Sequence, residues 1–93
     1  MSEVECDPEK RANTLAERGL DMERAGAVFD APHLTISDQR QDYGEDRFVT
    51  IGHLDGRMVV FAWTWRGRAI RVISMRKAND REQKRYGGRL ERS

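Results

Sequence analysis

One cysteine, two prolines, two histidines and no long apolar run leave this 93-residue chain few routes to cross-linking, metal binding or membrane insertion. Cys6 alone excludes an internal disulfide and cannot by itself build a metal site, so nothing points to an oxidising compartment. The longest apolar stretch, Met58 to Trp65, is far too short to cross a bilayer, and Met1 to Asp7 is acidic with no apolar run. A cytoplasmic protein without targeting or membrane segments is expected. There is no Gly-rich phosphate loop, no CxxC and no HExxH. His33 and His53 lie beside apolar strand residues, where a histidine is more often structural than catalytic. No cofactor and no metal are expected.

Charge is what the chain has in quantity, and its net value of +1 hides a division at Arg66. Residues 1–65 carry seven Lys/Arg against thirteen Asp/Glu, whereas the last 28 carry ten against three. Eight of those ten cations are arginine, which forks onto phosphate and stacks on bases where lysine only neutralises. The basic part therefore points to a polyanion, with RNA first. A solvated helix with a basic tail is the competing reading.

The 38% hydrophobic share fills one modest core, so residues 1–93 should form a single domain. Asp7-Pro8 reads as an N-cap followed by proline at the first helical position. Ala12, Leu15 and Ala16 give an apolar stripe and Gly19 a stop, which predicts a helix over Pro8 to Arg18. Asp21 opens a second helix, Met22 to Asp30, that ends before Pro32. The period then becomes β-like at His33 to Ser37, with Gln39 to Asp46 as a loop. Arg47 to Gly52, Met58 to Trp65 and Ala69 to Met75 follow as strands joined by turns at Asp55-Gly56 and Arg66-Gly67-Arg68. Strict alternation places Arg71 on the face of Ile73 and Met75, and Arg76 on the opposite one. Asn79-Asp80-Arg81-Glu82 is a capping box. The basic helix it opens should end at Gly87-Gly88, leaving Arg89 to Ser93 frayed. The expected fold is α+β, two N-terminal helices packed on a three- to four-stranded antiparallel sheet, followed by a short basic C-terminal helix.

The chemistry concentrates where the last strand meets that helix. Arg71, Arg76, Lys77, Glu82 and Tyr86 form the candidate catalytic set, with Arg66, Arg68, Arg81, Lys84 and Arg85 as flanking RNA-binding cations. Such a set suits metal-free RNA cleavage, in which the 2′-hydroxyl attacks its own phosphorus, cations stabilise the added charge and the leaving 5′-oxygen is protonated. Glu82 or Tyr86 could exchange protons; equally, Glu82 could only cap the helix and Tyr86 only pack. A non-catalytic RNA-binding module would use the same patch, with Trp63 and Trp65 as stacking platforms unless they are core residues. An interaction protein meeting an acidic partner is a third reading.

Several stretches together resemble a known family. They are Asp7-Pro8-x-Lys10 with Asn13, Ala27-Val28-Phe29-Asp30, Glu45-Asp46-Arg47 before Ile51-Gly52, and above all Arg71-Val72-Ile73-Ser74-Met75-Arg76-Lys77-Ala78 followed by Glu82 and Tyr86. From Asp7 to Tyr86 the chain resembles the BrnT toxins. The resemblance implies a RelE-like fold, an endoribonuclease that cuts RNA to halt translation, and a BrnA-type ribbon-helix-helix antitoxin held with it in a hetero-oligomer. It adds Lys10 and Arg18 to the expected RNA contacts. Two positions depart from the pattern. Glu17-Arg18-Gly19 stands where relatives read Lys-His-Gly, and Cys6 replaces an aromatic. Arg18 can bind phosphate but cannot serve as a general base near neutral pH.

Overall fold

Asp7 and Pro8 start the first helix as their chemistry dictates. The Asp7 carboxylate accepts from the N–H groups of Glu9 at 2.8 Å and Lys10 at 3.4 Å, and proline has no N–H to leave unpaired. Helix α1 (Pro8–Arg18) stops at Gly19, whose φ of 68° turns its N–H back onto the Leu15 carbonyl. The computed structural model describes residues 3–39 and 44–91. The remaining elements are β1 (Val4–Cys6), α2 (Ala25–Phe29), β2 (His33–Ser37), β3 (Arg47–Leu54), β4 (Arg57–Arg66), β5 (Ala69–Lys77) and α3 (Asp80–Glu91). Residues 40–43 of the expected loop and the last two residues of the expected tail lie outside the described residues.

The sheet corrects the expected fold. It has five strands in the order β1-β5-β4-β3-β2 and is mixed, because β1 runs parallel to β5 while the other pairings are antiparallel. Three residues give too short an alternation to announce a strand, and their partners, Ile70 to Val72, lie far along the chain. The expected second helix is also reduced. Asp21 caps a 3-10 turn over Met22–Arg24, closed by an i→i−3 bond from Arg24 N to the Asp21 carbonyl, and only five residues of α2 follow. Among the described residues the architecture is therefore one N-terminal helix, one short helix and one C-terminal helix around a five-stranded mixed sheet.

Two hairpins set the register. Asp55 (φ 52°) and Gly56 (φ 80°) join β3 to β4, the double positive-φ pattern of a tight turn that matches strand twist. Gly67 (φ 62°) opens the β4–β5 turn.

Each face of the sheet carries its own core. On one, Val59, Phe61 and Trp63 of β4 and Ile70, Val72 and Met75 of β5 pack with Leu20, Met22, Ala25 and Val28. On the other, Ile51, Met58 and Val60 pack with Ala78 and Leu90, and Leu34, Val49 and Tyr86 border the cluster. Helix α3 does not stop at Gly87-Gly88 as expected. It runs on to Glu91, where Leu90 is buried against the sheet. At Gly52 an added Cβ would lie 2.5 Å from Val28 Cγ1, so α2 sits on β3 only because that position has no side chain.

Candidate nucleic-acid interface

A single extra residue in β5 decides which side chains meet. Trp63 pairs with Val72 and Ala62 with Ser74, so Ile73 has no partner on β4 and forms a bulge. Cross-strand partners share a face. Arg71 opposite Thr64, Ser74 opposite Ala62 and Arg76 opposite Val60 therefore lie on one face. The expected separation of Arg71 from Arg76 is thus overturned, since alternation fails where the bulge adds a residue. On β3 the same face receives Arg47 opposite Thr64 and Val49 opposite Ala62, and on β2 Ile36 opposite Val49. Helix α3 covers the Ile51–Met58–Val60 end of this face. The other end stays open, with Ile36, Ser74 and Arg76 exposed and Arg47, Val49, Ala62 and Arg71 half-buried.

Among the described residues, three shallow clefts line the open end. The first is walled by Lys10, Arg47, Arg66 and Arg71 over Thr64 and Ile73, with Asp7 and Glu45 at its rim. Both acids are engaged: Asp7 caps α1, and Glu45 faces Arg47 Nε at 3.4 Å. Among the described residues Lys10, Arg66 and Arg71 have no carboxylate partner, which leaves their charge available to an anion. Thr64 is buried, and its hydroxyl donates to the Asp46 carbonyl at 2.6 Å beneath Arg47 and Arg71. The second cleft is lined by Val49, Val60, Ala62, Ser74 and Arg76. The third lies between α1 and β5 and includes Lys10, Asn13, Glu17, Arg18 and Ser74.

Arg76 is held in place by the first turn of α3. Its Nη1 and Nη2 donate to the two Glu82 oxygens at 2.7 and 2.9 Å, a fork-on-fork pair. Glu82 Oε1 also accepts from Asn79 N at 2.9 Å, and Asn79 Oδ1 from Glu82 N at 2.8 Å, completing the capping box. The Arg76 bonds and the Asn79 N–H outweigh partial burial and hold the Glu82 carboxyl down at about 2. Glu82 is therefore ionised at neutral pH. It cannot supply a proton there and is a weak base.

The other expected site residues scatter. Lys77 pairs with Val59 and so belongs to the opposite face. Tyr86 is half-buried against the Ile51–Met58–Val60 cluster, with the Arg85 guanidinium 5.4 Å from its ring centre. Arg66 enters the first cleft, Arg68 is exposed in the β4–β5 turn, and Arg81, Lys84 and Arg85 are exposed on α3. Arg18 Nη1 donates to the Met75 carbonyl at 2.6 Å. Arg47, Thr64 and Ser74 were not assigned from the sequence. Alternation along β3 and β4 was the signal for the first two, and the bulge concealed the third. Burial, then the charge of Glu23, pushes the Cys6 thiol up, leaving little thiolate at neutral pH. Trp63 is buried, its Nε1 donating to Thr50 Oγ1 at 2.8 Å, so it is a core residue rather than a stacking platform. Trp65 is exposed but lies on the face opposite the arginines.

The family model describing the ribonuclease toxin BrnT of type II toxin-antitoxin systems matches residues 6–82. The chain belongs to the BrnT family. It is accordingly a ribonuclease toxin whose system includes an antitoxin. No curated protein matches it. The matched span of this BrnT takes in Lys10, Arg47, Arg66, Arg71, Arg76 and Glu82, and ends before Lys84, Arg85 and Tyr86.

Proposed function

We propose that this BrnT cuts RNA across the open sheet face without a metal cofactor, and that this cleavage halts translation. The observation that carries the reading is the bulge at Ile73, which sets Arg71 and Arg76 on one face with Lys10, Arg47 and Arg66 beside them. The scissile phosphate lies over Ser74, between the two strand arginines. The 2′-oxygen attacks phosphorus, the bond to the 5′-oxygen breaks, and a 2′,3′-cyclic phosphate and a 5′-hydroxyl result. Arg71 and Arg76 stabilise the charge that builds on the phosphoryl oxygens. Water in the open groove takes the 2′-proton and returns one to the 5′-oxygen. Glu82, committed to Arg76 and to the helix cap, aims that guanidinium. Tyr86 supports α3 from below. Lys10, Arg47 and Arg66 hold the adjoining backbone phosphate, while Arg68, Arg81, Lys84 and Arg85 add to the field that draws RNA in. A BrnA-type ribbon-helix-helix antitoxin silences the toxin in a cytoplasmic hetero-oligomer.

The test is incubation of antitoxin-free protein with end-labelled RNA and mapping of the product termini. Cyclic or 3′-phosphate ends, formed in the presence of chelator and about a hundredfold to a thousandfold more slowly by Arg76→Ala, are expected. Salt-sensitive binding without any product would replace the enzyme with a binding module.

A further inference from the structure

Helix α1 buries no side chain, so apolar packing does not fix its place beside the sheet. Ala12, Leu15 and Ala16, the stripe expected to pack, all face solvent. Arginines hold it instead. Arg11 grips Asp21 at 2.9 and 3.1 Å, Arg57 Nη2 donates to the Gly19 carbonyl at 2.9 Å, and Arg18 Nη1 donates to the Met75 carbonyl at 2.6 Å. The last of these reaches β5, the strand that carries Arg71 and Arg76. Met75 sits between Ser74 and Arg76, past the point where pairing with β1 stops at Val72. A carbonyl on such an edge has no partner strand, and a charge-assisted bond from a guanidinium satisfies it.

We infer that Arg18 is a positioning residue: by clamping the Met75 carbonyl it holds α1, and Lys10 with it, against the arginine-bearing strand, and it makes no phosphate contact. The inference rests on the ribonuclease reading and changes the role of one cation within it. Its support is geometric. Lys10 lines both the arginine cleft and the α1–β5 cleft, so α1 is a wall common to the two. Moving that wall displaces Lys10 without removing any charge from the groove. Catalysis by positioned charge is sensitive to displacements of about 1 Å.

The test compares Arg18→Ala, Arg18→Lys and Lys10→Ala in the full chain. It measures RNA cleavage, RNA binding across a salt series, and hydrogen exchange of α1 without RNA. For Arg18→Ala, kcat should fall by about tenfold to a hundredfold. The α1 amides should exchange faster, and the salt slope of binding should stay as in the wild type. Arg18→Lys, which keeps a donor, should restore both kcat and protection. Lys10→Ala should instead flatten the slope by about 0.7, the mark of one lost phosphate contact on a single strand. A flattened slope with unchanged exchange in Arg18→Ala would make Arg18 a phosphate ligand and overturn the inference, as would unchanged kcat. If the wild type cleaves no RNA, the ribonuclease reading fails while exchange still tests the clamp: faster α1 exchange in Arg18→Ala, reversed by Arg18→Lys, upholds it, and unchanged exchange sinks it.

Discussion

The two faces of one sheet differ as a core differs from a tool. On the first, Phe61, Val59, Met75 and Val72 are sealed under the 3-10 turn and α2, and the buried Trp63 Nε1 and Thr50 Oγ1 are paired with each other, Thr50 also bonding the exposed Thr35 at 2.8 Å. On the second, α3 closes one end and leaves arginines around an open cleft at the other. Both faces are drawn from the same strands, often from adjacent residues. Stability and chemistry are thereby separated by the direction of a side chain rather than by location along the chain. Substitutions on the sealed face should move stability, and those at the open end of the other should move chiefly activity.

The largest effect is expected on the sealed face. Phe61→Ala should cost about 3–5 kcal/mol, enough to leave a small domain largely unfolded, as read by urea denaturation. Next comes Arg76→Ala, expected to slow RNA cleavage by about a hundredfold to a thousandfold while costing at most about 1 kcal/mol of stability through the lost, half-exposed pair with Glu82. Equal losses of stability and activity in that variant would erase the distinction between the faces. Gly52→Ala should be intermediate, about 1–3 kcal/mol by the same denaturation assay, because Val28 or α2 must shift to admit the methyl group.

The smallest expected effect sits on the boundary between the two functions. Glu82 titrates at about 2 rather than at 4.5, chiefly through Arg76. Its depressed folded-state value means that its contribution is fully present above about pH 4.5 and is lost as pH falls toward about 2. Glu82→Gln should therefore flatten the acid limb of the stability curve across that window, at a neutral-pH cost of about 1 kcal/mol. An unchanged acid limb would dissociate the pair from stability.

Much of this was legible from local chemistry. The Asp7-Pro8 start, the Asp55-Gly56 hairpin and the Asn79–Glu82 box each write their own geometry, and each forms as expected. What escaped depends on partners remote in sequence. Strand β1 exists because β5 offers an edge, and Gly87-Gly88 stays helical because Leu90 beyond it packs against Ile51, Met58 and Val60. The site suffered more than the fold. Arg71 and Arg76 were proposed from their residue type and setting, but their common face comes from a bulge that no periodicity signals, and the same register puts Lys77 on the opposite face.

The capping box has a consequence for how such a toxin can change over generations. One carboxylate both begins α3 and orients Arg76, so the start of the helix and the aim of that guanidinium depend on the same residue. A partly folded chain carries the arginines without their arrangement. Variation at position 82 is likewise constrained, because only glutamine keeps an acceptor for the helix start, and it does so without the charge that holds the guanidinium.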